Sequence, residues 1–181
     1  MKPDFLKTGK KESLKTWWFR MLMNWYPMYF GTGGKILFWA ADNSEIHLRL
    51  RLSLWTYNYV GTIFGGSMFA ASDPFYMVML LRILGDKYVV WDKEASIRFK
   101  KPGKQTLYAV FKVEENVLDQ VKKLVSEQGQ TTYDFVIQWL DKNGVVHAEI
   151  KRHCYIADKD FYRKHKGTTQ SSKLDLNFKR S

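Results

Sequence analysis

Five stretches of the chain alternate apolar and polar residues with a period of two. Ile46, Leu48, Leu50, Leu52 and Leu54 interleave with His47, Arg49, Arg51 and Ser53. Ala95, Ile97 and Phe99 alternate with Glu94, Ser96, Arg98 and Lys100, and Leu107, Ala109, Phe111 and Val113 repeat the pattern. Tyr133, Phe135, Ile137 and Trp139 form a fourth run. In the fifth, Val146, Ala148 and Ile150 lead to Cys154 and Ile156, with Arg152 interrupting the inner face. Period two places alternate side chains on opposite faces, one covered and one wetter, as in antiparallel sheets. Asp141-Lys142-Asn143-Gly144 supplies the turn of a hairpin between the last two runs. A further short strand is expected at Lys35–Ala40, just before Ile46.

Two segments follow the helical period instead. From Ser13, the residues Leu14, Trp17, Trp18, Met21, Leu22 and Trp25 recur at helical spacing until Pro27 closes the run. This amphipathic helix is expected to lay its aromatic face on the domain's own sheet or on a subunit contact. A Trp-rich basic helix at a membrane surface is the alternative. The second segment, Gly65–Leu84, is apolar almost all round, with only Asp73 and Arg82 charged, which predicts burial on most sides. Leu118–Val125 reads as a short amphipathic link. The order is therefore helix, two strands, buried helix and four strands, an α+β domain in which one sheet wraps one helix. Neither repeats nor a linker divide it. Residues 1–13 read as a flexible basic lead, 14–160 as a single domain and 161–181 as a basic, partly disordered tail.

Composition narrows the class. With 181 residues, 45% apolar and 16% aromatic, the chain has enough material for one globular core. The single cysteine, Cys154, excludes an intramolecular disulfide and a cysteine-based zinc site, and favours a reducing, cytoplasmic setting. Trp17–Phe30 contains Arg20, Asn24 and Pro27 and is too interrupted to span a bilayer. A net charge of +11 favours an anionic partner, and residues 159–181 contribute seven Lys/Arg against two Asp. Such a tail is expected to be a solvated end. The histidines show no metal-ligand spacing, and His47 and His147 fall on outward strand positions, where surface exposure is expected.

The candidate chemistry lies between Asn58 and Asp73. Adjacent glycines, Gly65 and Gly66, open the apolar segment, and Asp73 stands about two turns on, on roughly the face of Gly66. Glycine lets backbone N–H groups approach a ligand closely, and a helix N-terminus attracts developing negative charge. Donors and a carboxylate on one face suit attack on an acyl group. Each residue also has a structural reading. Asp73-Pro74 is a standard helix start, with Asp as cap. The glycines allow tight packing, and Asn58 suits a turn.

The same residues carry a family resemblance. Asn58, Gly61, Thr62, Gly65, Gly66 and Asp73 match the spacing of the Asn-x-x-Gly-Thr-x-x-Gly-Gly segment and helix carboxylate of hot-dog-fold acyl-CoA thioesterases of the PaaI-like group. Ser96–Pro102 resembles that group's third strand and its exit. Asn24–Pro27, Phe64–Gly66 and Asp73-Pro74 are similar to an uncharacterised bacterial branch of the superfamily, a domain of unknown function. The resemblance covers roughly residues 14–160. It implies a hot-dog fold, an antiparallel sheet wrapped around a long central helix, here with an extra N-terminal amphipathic helix. It implies hydrolysis of an acyl-CoA or similar thioester, with Asp73 as base or nucleophile, Gly65 as oxyanion donor and Asn58 as orienter. Gly66, Phe64 and Tyr59 would meet the acyl group. Arg98, Lys100, Lys101 and Lys104 would meet the coenzyme A phosphates.

The resemblance further implies a homodimer or homotetramer, no metal and no cofactor beyond coenzyme A within the substrate. Neither nucleic acid nor a membrane is expected as a partner. Phe64 departs from the pattern: many members place His before the two glycines, and Phe cannot hydrogen-bond a carbonyl or orient water. A non-catalytic acyl or acyl-CoA binding module is therefore the alternative function. Nucleic-acid binding by the basic ends rests on charge alone.

Overall fold

The period-two runs pair into a single sheet. In the computed structural model, which describes residues 3–169, six antiparallel strands stand in the order β1-β2-β4-β5-β6-β3. They are β1 (Gly34–Trp39), β2 (Glu45–Leu50), β3 (Tyr88–Phe99), β4 (Leu107–Lys112), β5 (Gln130–Leu140) and β6 (Val146–Asp158). The helices are α1 (Leu14–Trp25), α2 (Pro27–Phe30), α3 (Gly65–Ser72), α4 (Phe75–Leu84), α5 (Glu115–Gln128) and α6 (Lys159–Thr169). Ile46, Leu48 and Leu50 of β2, Leu107, Ala109 and Phe111 of β4, and Ile137 and Trp139 of β5 are all buried. With Ile150 and Ile156 of β6 they form one core with Phe75, Met79 and Leu80 of α4. Each buried Leu, Ile, Met or Phe among them contributes about 1.5–3 kcal/mol. Trp139 also donates its indole N–H to the Met68 carbonyl at 2.9 Å, tying sheet to helix.

The central helical segment, Gly65–Leu84, comes in two pieces. Asp73 and Pro74 keep right-handed helical backbone angles, so the path continues while the hydrogen-bond ladder does not. Pro74 has no N–H for the Ala70 carbonyl. The Asp73 N–H moves to that carbonyl instead, at 3.2 Å, and releases the Phe69 carbonyl one position earlier. Ser72 Oγ donates to the released oxygen at 2.7 Å. This segment is the one helix among the described residues long and apolar enough to cross a membrane, and it is the core helix of the domain.

Several details differ from the sequence reading. β2 ends at Leu50, and Leu54 is exposed in the following loop. Ser13 caps α1 in a capping box with Thr16, as helical spacing from that point requires. Yet the apolar stripe of α1 is not the buried one. Leu14, Trp18, Leu22 and Trp25 face outward, while Thr16 is buried and Phe19 and Met23 pack on the core. Phe19 meets Trp39 edge-on and carries the Arg82 guanidinium over its ring.

His47 and His147 are buried rather than exposed, at 3% and 6% accessibility. The outer face of the sheet is covered locally. Leu6 and Thr8 lie beside His47, which pairs with Glu45 at 2.6 Å. His147 Nδ1 lies 3.0 Å from the Pro102 carbonyl in the turn after β3. The basic lead is thereby anchored: Thr8 donates to Glu45 and Lys10 pairs with Asp42. The basic tail begins as helix α6, and residues 170–181 lie outside the described residues.

The two sheet edges are treated differently. On β1, the amide of Asn24 bonds both the N–H and the carbonyl of Ile36, at 2.8 and 3.0 Å, and Glu12 accepts from the Trp39 N–H. Among the described residues no side chain seals the free edge of β3 in this way.

Gly129 ends α5 at φ 76°, and a β-carbon there would collide with the Phe161 ring of α6. Gly129→Ala is expected to cost at least about 1–2 kcal/mol from the left-handed backbone alone, plus the displacement of Phe161. Gly144→Ala, at φ 81° with open space around it, carries only the backbone cost. Denaturant midpoints of the two variants check this ordering.

Candidate active site

The loop before α3 is held by its own asparagine. Asn58 Oδ1 accepts from the Val60 and Thr62 N–H groups, each at 3.1 Å, and its amide nitrogen donates to Thr62 Oγ1 at 3.0 Å. Both ends of the Asn58 amide are thus engaged inside the loop, and Tyr59 stands fully exposed at its tip. The Ile63 N–H donates to the Gly103 carbonyl at 2.8 Å, and the Phe64 N–H to the Thr56 carbonyl at 2.6 Å. The loop is therefore moored to the turn that follows β3, which brings Asn58–Gly66 and residues 98–104 together.

At the start of α3 the two glycines are needed for close approach. A β-carbon on Gly65 would stand 2.5 Å from Cζ of Phe99, and one on Gly66 would strike the Phe64 ring. The first N–H groups of a helix have no partner within it and carry the positive end of its dipole. Here exposed aromatic rings, Phe64 and Phe99, form an apolar rim around that end. Of the basic residues, Lys100 pairs with Glu149 at 3.3 Å, while Arg98, Lys101 and Lys104 are exposed without an ion pair among the described residues.

Asp73 is not the N-cap of a helix. It closes α3, and α4 begins after Pro74 with no side-chain cap. Its Oδ1 instead accepts from Arg152 Nη1 at 2.6 Å, with Arg152 2% exposed and Asp73 58% exposed. Arg152 lies on β6 between Ala95 of β3 and Phe135 of β5. Its other partners are the released Phe69 carbonyl at 3.3 Å, Ser72 Oγ at 3.5 Å and Asp92 Oδ2 at 3.4 Å. The guanidinium also lies 4.7 Å from the Phe69 ring centroid. Asp92 Oδ1 in turn accepts from the Cys154 thiol at 3.1 Å. Burial, with the neighbouring Asp92, pushes that thiol well above its ordinary pKa.

The site thus has two parts: a helix end with an aromatic and basic rim, and an outward carboxylate fixed from below. Eight residues separate Gly65 from Asp73, about 12 Å along a helix axis. One copy cannot bring both to a single carbonyl. Among the described residues, Asp73 Oδ2 makes no hydrogen bond and is free to meet a ligand. Arg152 and Asp92 were not singled out as site residues from the sequence. Arg152 left one signal, a charge on the inner face of an otherwise apolar alternation. No group of three or more His, Cys, Asp or Glu among the described residues is arranged to hold a metal.

Comparison with known proteins agrees with this architecture. The model of a domain of unknown function, DUF4442, matches residues 15–156. Among curated proteins, no significant match is found. A protein of unknown function from Pseudomonas aeruginosa, named a probable thioesterase, superposes with a TM-score of 0.69 at 19% identity, covering 79% of this chain and 95% of its own. A thioesterase from Haemophilus influenzae gives 0.58 at 10% identity, covering 82% and 93%. A mutant thioesterase from Pseudomonas aeruginosa gives 0.58 at 11%, covering 83% and 97%. At these identities the likeness establishes a hot-dog fold.

Two outcomes follow from the geometry. Arg152→Met removes the cation shared by two carboxylates and the Phe69 carbonyl, and is expected to cost about 1.5–3 kcal/mol, the range for hydrogen bonds to charged groups. Arg152→Lys should recover part of that loss in a denaturant titration. Cys154, buried and with its pKa raised, is expected to ignore a disulfide reagent in the native protein and to react once the chain is unfolded.

Proposed function

The chain belongs to the DUF4442 family, a domain of unknown function, and on its hot-dog scaffold we propose that it hydrolyses an acyl-CoA or similar thioester. The observation that carries this reading is Asp73. It is the carboxylate that breaks the surface of the apolar central segment, and a buried arginine holds one oxygen while the other faces out. A fixed, outward carboxylate beside an apolar rim suits activation of water, or direct attack, at a thioester carbonyl. The Gly65 N–H, at the positive end of α3, is the donor for the oxyanion. Asn58 shapes the approach by holding its loop, with Gly66, Phe64 and Tyr59 along the acyl path. Arg98, Lys101 and Lys104 meet the phosphates of coenzyme A, with Lys100 on the same rim.

Because Gly65 and Asp73 of one copy stand too far apart, the working site takes Gly65 from one subunit and Asp73 from another. The unsealed edge of β3 is the surface on which two copies join, giving a homodimer or homotetramer. A cytoplasmic location accompanies this reading, on the single buried thiol.

A second reading has its own observation. Phe64 stands where a polar residue would orient water, and two aromatic rings roof the glycines. This favours acyl or acyl-CoA binding without turnover.

Free-thiol release from short, long and aromatic acyl-CoAs separates the two. Turnover by the wild type, lowered about 10²–10⁴-fold in Asp73→Asn with the fold intact by circular dichroism, is expected for a catalytic base. Saturable binding without turnover would establish the binding module. A monomeric wild type with full activity would overturn the two-subunit site.

A further inference from the structure

A second concave site lies on the other side of the sheet and shares no residue with the one above. It is a cleft of about 550 Å³ between α1, α2 and the outer face of β1 and β2. Its floor is cationic. Lys35 of β1 and Arg49 of β2 stand directly opposite in the strand register. Opposed residues in an antiparallel pair share one face, with β-carbons about 4.5–5.5 Å apart. Since Leu48 and Leu50 point into the core, Lys35 and Arg49 point away from it. Arg51 follows two residues later in the same cleft.

Like charges opposed across strands are destabilising. Here, among the described residues, no carboxylate answers them. The nearby Glu12 is engaged by Arg20 in a two-pronged pair at 2.7 and 2.9 Å. The Nε of Arg49 is buried without a hydrogen-bond partner. Desolvation, then the neighbouring Arg51, disfavours its charge.

The walls are apolar and aromatic. Trp25 stacks on Phe30 at 6.1 Å between centroids, and Trp55 and Met21 complete the lining. Trp25, Phe30 and Trp55 are exposed large apolar residues. A volume in the range of small-molecule sites, apolar walls and a few convergent polar groups describe a ligand pocket. The charge sign and the long apolar wall select its chemistry.

The geometry points to a binding site for a single-chain amphipathic anion, a carboxylate or phosphate head on an alkyl tail. The head sits on Lys35, Arg49 and Arg51, where a guanidinium fork matches two anionic oxygens. The tail lies along Trp25, Phe30 and Trp55. This site is independent of the hydrolase reading, because none of its residues belongs to that machinery.

The test titrates the full chain with decanoate and decyl phosphate below their micelle concentrations, by calorimetry and tryptophan fluorescence, with decanol as uncharged control. Saturable binding of one molecule per chain is expected. It should weaken at least about tenfold in R49Q/R51Q, the loss of one charge-assisted hydrogen bond. Decanol should be weaker by a similar factor. Trp55→Ala, at an exposed position, should weaken the alkyl anions while leaving melting unchanged. Equal binding of decanol and decanoate, indifferent to the arginine variant, would overturn the site. So would inorganic phosphate binding as tightly as decyl phosphate. Binding to phosphatidylglycerol vesicles without binding of the monomeric amphiphiles would assign the surface to a bilayer and overturn it too.

Discussion

A guanidinium is buried beneath the central helix, and the helix is interrupted where it receives that charge. An unpaired charge in a protein interior is costly, and Arg152 is tolerable because α3, Asp73 and β3 supply acceptors to its two Nη groups, while its Nε is buried without a partner. An uninterrupted helix would have no main-chain oxygen to give. Pro74 changes this by withholding one N–H, which shifts the Asp73 N–H by one carbonyl and frees Phe69 O for Ser72 and Arg152. The same break leaves Asp73 at the end of α3, over the guanidinium. Helix break, buried cation and outward carboxylate are therefore one arrangement, and removing any member strands the others.

The second constraint is at the sheet edges. An edge strand exposes unpaired backbone groups and templates association unless it is covered. On β1, Asn24 imitates a neighbouring strand by bonding both backbone groups of Ile36, and Glu12 takes the Trp39 N–H. The structural role of α1 is thus to close an edge, which explains why its polar and half-buried positions face inward. β3, twelve residues long, has no comparable cover among the described residues. The asymmetry leaves β3 as the edge with backbone groups open to a partner, and it is on this edge that the proposed two-subunit site would join.

Much of this was legible in the sequence, through particular residues. Strict alternation gave the strands, and Ser13 and Pro27 bounded α1. Asp73-Pro74 marked the break, but the side chain's use was not readable, because its partner lies 79 residues away on β6. The outward histidines illustrate a different limit. Period two tells which face a residue takes, not whether that face is later covered, and Leu6, Thr8 and the turn at Pro102 cover it here. For α1 the failure is one of sign. The apolar stripe reads as a buried face because hydrophobic patterning assumes that burial alone selects apolar residues. Asn24 and Phe19 face β1, where they meet Ile36 and Trp39, leaving the tryptophans to face out.

The outer cleft and the candidate active site meet in one loop. Thr56 is buried, and its hydroxyl donates to the Arg51 carbonyl at 2.5 Å, while its own carbonyl accepts the Phe64 N–H. Arg51 and Trp55 face the cleft; Phe64 and Gly65 begin the helix. A β-carbon on Gly33 would strike the Thr56 methyl, so the turn leading into β1 also packs against this point. A loop fixed at both ends by main-chain bonds holds position rather than storing alternative states. Coupling between sites requires an element with two arrangements that each ligand favours differently. Thr56 ties the loop into one. Its effect is to link the residue before the helix N-terminus to a residue of the arginine floor through one buried threonine.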